Sequence, residues 1–297
     1  MLSIIICSIH QHLLDGVKKS IANTVGVEYE LLIWNNKEEQ LGLCAVYNKM
    51  ATQAKYPYLC FCHEDILFET ENWGYLLKQL FENNSSVGLV GIAGSTYKSG
   101  NYSGWFTGIE DLDYFKIIHE VKGVEIELIS PPKYSFAQKK VACIDGVFMA
   151  CSKTVWQTFK FNEKLLQGFH FYDIDFSLRV ALAMDVIVTD KILLRHITKG
   201  GDYGDRWVEA AFLFHEASKE ALPFAIDTAH SYSIDLKIAA NWMDRLKSEK
   251  ISFRNRLKWI RSQGLHKRTP LIYTITKFLL YEPLGLQKVH RLFKSSN

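Results

Sequence analysis

The chain reads as an α/β protein: a doubly wound, mixed but mostly parallel central sheet flanked by helices, with a helical appendage at its C-terminus. Three observations predict it. Residues 1–62 alternate short apolar runs with helical stretches, the strand–helix–strand–helix–strand opening of such a sheet. The apolar runs stop abruptly at polar residues, as buried strands do when they deliver side chains to their carboxyl ends. The charge is split as well: residues 1–235 hold 21 Lys+Arg against 29 Asp+Glu, a net −8, and residues 236–297 hold 14 against 3, a net +11. The overall +3 therefore conceals an acidic body and a basic tail.

With 297 residues, 48% of them hydrophobic, and only 6 Pro, the chain can bury one large core or a core plus an appendage and is not a disordered protein. Its cysteines, at positions 7, 44, 60, 62, 143 and 151, form no CxxC pair and lie mostly in apolar runs. They read as free thiols of a reducing compartment. The N-terminus lacks the basic segment of a signal peptide, and no stretch reaches the ~20 apolar residues that span a bilayer. A cytoplasmic location is expected.

Taken in order, Ser3–Ile9 is a buried strand that ends at Ser8 and His10, and a helix follows over residues 13–23. Tyr29–Trp34 is a second strand ending at Asn35 and Asn36, and a helix over residues 43–54 leads to a third strand, Tyr58–Cys62. That strand stops at His63-Glu64-Asp65. Residues two apart at a strand end point the same way, so His63 and Asp65 can face one divalent cation while Glu64 turns away. The plainer alternative is a solvated strand cap. In doubly wound sheets ligands sit beyond the carboxyl ends of the strands, and all three strand ends would share that rim.

Further on, residues 73–83 form an amphipathic helix and residues 87–93 a strand. Residues 94–108 are a Gly-, Ser- and Tyr-rich loop whose Trp105 packs either on a sugar ring or on the core, and residues 117–129 are a hairpin turning at Lys122-Gly123. The apolar run 141–150 is interrupted by Asp145-Gly146; a charge there needs a partner, so Asp145 either accepts a structural hydrogen bond or faces the site. Asp173 and Asp175 precede or open a helix over residues 176–184. Residues two apart on a helix do not share a face, so one aspartate points into the cleft and the other serves the helix. Residues 186–194 are the last strand of the body, ended by Arg195-His196, and the glycine-rich stretch 198–205 is a loop.

In this order the segments resemble GT-A-fold (Rossmann-like) glycosyltransferases of the large family-2-like group, over residues 2 to about 220. Leu31–Asn36 resembles the second strand with its turn, Val46-Tyr47-Asn48-Lys49-Met50 the Ala-Arg-Asn-x-Gly segment with Asn48 retained, and Tyr58–Asp65 the strand ending in Asp-x-Asp. Tyr172-Asp173-Ile174-Asp175-Phe176-Ser177-Leu178-Arg179 resembles the Glu-Asp-x-Asp-Leu-x-x-Arg segment that carries the catalytic base. His63 departs from the first metal-motif Asp, as in the bacterial subgroup that writes the motif His-x-Asp. Asn36 stands in a turn where an Asp is common, and Met50 replaces a usual Gly.

The resemblance implies an inverting transfer from a nucleotide-sugar donor, UDP-sugar foremost, to a saccharide or lipid-linked acceptor, in bacterial surface polysaccharide or glycoconjugate synthesis. It implies Mn²⁺ or Mg²⁺ held by Asp65 with His63 and His196, and Asp173 as the base. Ser8, His10, Asn35, Asn36, Asn48 and Glu64 would lie toward the donor, Asp145 and Asp175 would be further candidates, and residues 198–205 would close over the donor. A nucleotidyltransferase fits less well, because residues 7–16 lack the Gly- and basic-rich loop expected of one. A catalytically silent sugar-nucleotide-binding or scaffold protein is the non-enzyme alternative. The expected division is a catalytic domain over residues 1–220 and a helical basic region over 221–297. That region, with Trp259 and Leu257 among its basic residues, suits a helix lying on an anionic membrane at the inner face, a packed appendage or an oligomer contact; no nucleic-acid-binding module accompanies the charge.

Overall fold

The computed structural model describes residues 1–131, 136–198 and 203–280. Of the loop expected over 198–205, residues 199–202 lie outside the described residues. β1 (Leu2–Ser8), α1 (Gln11–Thr24), β2 (Tyr29–Asn35), α2 (Leu43–Gln53) and β3 (Tyr58–Cys62) make the expected opening. Next come β4 (Ile66–Phe68), α3 (Trp73–Asn83), β5 (Val87–Gly91), β6 (Ala93–Ser95) and β7 (Tyr97–Lys98). The chain continues through β8 (Asp113–Val121), β9 (Val124–Ser130), β10 (Gln138–Lys140), β11 (Cys143–Ile144), β12 (Phe148–Ser152), α4 (Lys153–Phe159) and α5 (Tyr172–Ala181). Among the described residues, the remaining elements are β13 (Asp185–Thr189), β14 (Leu194–Ile197), α6 (Asp205–Ala217), β15 (Phe224–Ala225), α7 (Tyr232–Leu246), α8 (Phe253–Ser262) and α9 (Ile272–Leu280).

The main sheet has the order β10-β13-β5-β12-β3-β1-β2. β1, β2, β3, β5 and β13 run one way, and β12 and β10 run against them. Alternation along β1 divides the core: Ile5 faces α2 and α5, while Ile4 and Ile6 face α1 and α3. Parallel register sets Ser8 beside Asn35 and Ile6 beside Cys62, so β1, β2 and β3 end on one rim. The inserted antiparallel strand decides the site. Phe148 pairs with Cys62, so the residues entering β12 arrive where β3 leaves, and the His63 amide donates to the Val147 carbonyl at 3.2 Å.

A second sheet, β11-β6-β8-β14-β4 with β9 on β8, crosses above this rim. Here the structure corrects the single strand expected over residues 186–194. β13 stays in the main sheet, the chain crosses over, and β14 pairs antiparallel with β4, His196 opposite Ile66. His196 therefore lies inside a strand rather than past its end. The expected hairpin is β8–β9, and its turn residues Lys122 and Gly123 have φ of 53° and 78°, the left-handed pair that a two-residue hairpin turn requires. The long loop after β6 holds β7, which pairs with β15.

α7, α8 and α9 share one continuous core with the body: Trp242 stacks on Trp207 of α6 at 4.9 Å, and Trp259 on Trp207 at 5.9 Å. Arg256, one of the basic residues of that region, is buried, donating to the carbonyls of Lys247, Glu249, Ile251 and Phe278. Trp259 is fully buried too. The six cysteines are free. Among the described residues no helix is long and apolar enough to cross a membrane.

Candidate active site

His63, Asp65 and His196 converge, one ligand atom from each lying within 4.8 Å of the others. Local structure explains the convergence. β3 ends at Cys62 and β4 begins at Ile66, so His63-Glu64-Asp65 is the corner between the two sheets, and the Ile197 amide donates to the Asp65 carbonyl at 2.8 Å to hold β14 against it. His196 Nε2 lies 3.3 Å from Asp65 Oδ2, and His63 Nδ1 lies 3.7 Å from Asp65 Oδ1. Burial works against the charge on Asp65, but the hydrogen bond from His196 and the two imidazoles outweigh it and hold its pKa below the ordinary carboxylate range. Burial likewise opposes a charged His196, yet Asp65 raises its pKa above the usual value; burial dominates at His63 and lowers its pKa.

The corner fits a divalent cation. Asp65 Oδ1 is buried with no hydrogen-bond partner, a cost that a bound cation would remove. The Tyr172 hydroxyl donates its one proton to the Gly146 carbonyl at 3.2 Å and lies 2.9 Å from His63 Nε2. Its oxygen therefore accepts Nε2–H, which leaves the His63 Nδ1 lone pair turned toward Asp65. Fixing a ligand imidazole through its other nitrogen is the usual outer support of a metal ligand.

Tyr172 also opens α5, next to Asp173. Asp173 Oδ2 accepts from the Gly146 amide at 2.9 Å and Oδ1 from the Ile174 amide at 2.9 Å. Burial first, and then the charge of Asp145, push its pKa up to about 7 against those two amides. Asp145 is held by the Trp105 indole N–H on Oδ2 at 2.5 Å and the Val147 amide on Oδ1 at 2.8 Å. It is thus both a structural acceptor and a charge beside the cleft, the two alternatives of the sequence combined. Asp175 serves the helix: it is 3% exposed and pairs with Arg179 at 2.7 Å. Gly146 is the close approach on which this depends, since a Cβ there would lie 2.1 Å from the Tyr172 hydroxyl oxygen and 3.0 Å from Asp173 Cβ. Phe171, just before the helix, has φ 64°, a left-handed conformation costly for an aromatic residue and met where a site over-determines its backbone.

The candidates near the donor end divide. Glu64 does turn away from His63 and Asp65: Oε2 accepts from Ser8 Oγ at 2.6 Å and from the Ile9 and His10 amides, and Oε1 meets His10 Nδ1 at 3.0 Å. It clasps the end of β1 and sets Ser8 and His10 on the rim. Asn35 stays exposed there. Asn36 and Asn48 do not join them. Asn36 is 1% exposed and exchanges two 2.8 Å hydrogen bonds with the backbone of Leu41. Asn48 accepts from Trp156 Nε1 and the Phe161 amide and donates to the Phe161 carbonyl and Glu163. With their polar atoms engaged, both are turn and bracket residues.

Sequence reasoning missed several members. His119 pairs across β8 and β14 with His196, ring centroids 5.5 Å apart, and burial followed by the charge of His196 lowers its pKa. Alternation with buried Ile117 was its only signal. Tyr172 was read as part of a motif without a role.

A family model described as "Glycosyltransferase like family" matches residues 3–201. Among solved structures, GalNAc-T7, crystallised with UDP, GalNAc and Mn²⁺, is 11% identical, and the match covers 91% of this chain and 58% of that one at a TM-score of 0.51. This chain thus spans less than two thirds of that protein. S. aureus TarS 1–349 is 13% identical, with 98% of this chain and 91% of that one covered, also at a TM-score of 0.51. Comparison with curated protein sequences finds no match. At such identities the likeness is one of fold, the mixed α/β GT-A architecture that the sequence predicts.

Proposed function

The chain belongs to the glycosyltransferase-like family and has the GT-A fold, and we propose that it moves a sugar from a nucleotide diphosphate sugar to an acceptor hydroxyl, with a divalent cation and inversion at the anomeric carbon. One observation carries this reading: through its hydroxyl and its position in α5, Tyr172 joins the His63–Asp65–His196 corner to Asp173, a carboxyl with a pKa of about 7. A cation site and a base poised at neutral pH, side by side on the carboxyl rim of the sheet, suit transfer from a diphosphate leaving group.

Asp65, His63 and His196 would hold the cation, which when bound supplies positive charge to the departing diphosphate. Two imidazoles in the set favour Mn²⁺ over Mg²⁺. Asp173, as carboxylate, takes the acceptor hydroxyl's proton while that oxygen bonds to the anomeric carbon. The bond from that carbon to the diphosphate oxygen breaks, and the nucleoside diphosphate leaves with the electron pair. One base without a covalent intermediate gives inversion. Asp145 keeps Asp173 basic enough for the task, and Ser8, His10 and Asn35 border the nucleotide end. UDP is taken as the donor nucleotide because GalNAc-T7, of like fold, was crystallised with it.

The acceptor we favour is a saccharide, lipid-linked and reached at an anionic membrane surface. Phe253, Ile272, Tyr273 and Leu280 are 59–68% exposed on α8 and α9, and Arg254, Arg261, Lys267 and Arg268 are exposed among them. Apolar and basic side chains in one helical segment complement an anionic lipid surface.

The test is nucleotide release from a panel of nucleotide sugars with Mn²⁺. The expected result is release from one donor, abolished by chelation and by Asp65→Ala. Release that survives Asp65→Ala contradicts the reading, and UDP binding without release from any donor favours the silent binding protein.

A further inference from the structure

We propose that Arg245, on α7 and beyond the segment matched by the family model, is the second cation of the donor site and binds a phosphate oxyanion of the donor diphosphate. This rests on the function proposed above and adds a residue to it. Charge balance requires such a group. Two neutral imidazoles, one carboxylate and a divalent cation sum to +1. The diphosphate of a nucleotide sugar carries two negative charges, and a third develops as the glycosidic bond breaks. Asp145 adds another negative charge beside the cleft. A further cation must come from outside the His63–Asp65–His196 corner.

Arg245 is placed to supply it. Its guanidinium lies 5.0 Å from the Tyr203 ring, 5.5 Å from Phe106 and 5.6 Å from Trp242. Nη2 donates to the Tyr203 hydroxyl at 2.9 Å. Among the described residues no carboxylate pairs with it, and the side chain is exposed. Three aromatic faces thus hold a cation in place without neutralising it. The cage borders the site. Phe106 contacts Trp105, whose indole holds Asp145. Arg195, beside His196 in β14, is held by Glu69, Glu120 and Glu125. Lys98 is buried against Ser103 and His215. A planar guanidinium with free N–H groups matches a phosphate oxyanion in two-point geometry. The C-terminal helices, sharing one core with the body, would thereby complete the donor site.

The test is titration of the full chain with UDP, and separately with uridine, in the presence of Mn²⁺, followed by tryptophan fluorescence. Arg245→Gln should weaken UDP about ten- to a hundredfold and leave uridine unchanged. Arg245→Lys should recover part of the loss, because it keeps the charge and loses the fork. Tyr203→Phe, which removes only the hydroxyl that orients the guanidinium, should show a smaller loss and guards against misfolding of the Arg245 variants. UDP affinity unchanged in Arg245→Gln overturns the proposal, as does an equal loss for UDP and uridine. A wild-type chain that binds no UDP with Mn²⁺ overturns the donor reading itself, a result distinct from either.

Discussion

Replacing Asp173 with Asn should make the protein more stable at alkaline pH while removing its activity. Asp173 has a pKa of about 7 in the fold against 3.8 for the free side chain. A carboxyl raised in this way binds its proton more tightly when folded, so its contribution to stability falls as pH climbs from 3.8 through 7. At pH 5 the folded group is neutral while the unfolded one is ionised, a cost of about 1.6 kcal/mol at 1.36 kcal/mol per unit. By pH 8 both are ionised and the cost reaches about 4 kcal/mol, an upper figure for a partly exposed group. Asparagine carries no such cost. It forfeits one of the two amide bonds from Gly146 and Ile174, but by the same amount at each pH. The stability of Asp173→Asn relative to wild type should therefore improve by about 2 kcal/mol between pH 5 and pH 8, or about 3 °C in Tm. Paired thermal melts at the two pH values read it, because titrating groups not coupled to Asp173 cancel in the difference. Nucleotide release should fall about 10²–10⁴-fold. A difference in Tm that is flat with pH, or activity retained by the variant, would refute the account of Asp173 as a carboxyl held against its preferred state for catalysis.

Tyr172→Phe removes the acceptor of His63 Nε2–H and should weaken Mn²⁺ about 10–100-fold, measured by Mn²⁺ titration; unchanged affinity would show that His63 needs no such support. Asp145→Asn deletes the second cause of the Asp173 shift, so the acidic limb of the kcat–pH profile, expected near 7, should move to lower pH; a limb that stays or rises contradicts the coupling. Gly146→Ala places a methyl 2.1 Å from the Tyr172 hydroxyl oxygen and should cost about 1–3 kcal/mol together with most of the activity, read by denaturant melts and nucleotide release. In flotation with anionic and neutral liposomes at low salt, the full chain should rise with the anionic vesicles only, and exchanging Ile272 and Tyr273 for Ser should reduce it; no flotation on anionic vesicles rejects membrane docking.

What the sequence made legible was what strand ends announce locally. His63 and Asp65 could be read because an apolar run stops at them, and Asp173 because a polar doublet opens a helix. His196 was recognised but set past the end of a strand, since only the short polar break Thr189-Asp190-Lys191 marks the crossing from β13 in the main sheet to β14 in the second. His119 reaches His196 only through the pairing of β8 with β14, a contact between distant segments that no local pattern encodes. Asn36 and Asn48 show the opposite difficulty. A motif places an amide near a site, but only the hydrogen-bond inventory shows that its polar atoms are already engaged. Of the basic helix, Trp259 fastens α8 to the body by stacking on Trp207, while Arg256 ties the C-terminal helices to one another through the Phe278 carbonyl.

The claim on which the account rests is that His63, Asp65 and His196 bind one divalent cation that meets the donor diphosphate. Pulsed electron spin resonance of Mn²⁺ bound to the chain tests it directly, since modulation from directly coordinated ¹⁴N counts the imidazoles and ³¹P coupling reports phosphate. The account predicts two nitrogen couplings from one bound Mn²⁺, one of them lost in His196→Ala, and a ³¹P coupling that appears when UDP is added. Mn²⁺ bound without nitrogen coupling, or couplings indifferent to His196→Ala, would contradict it.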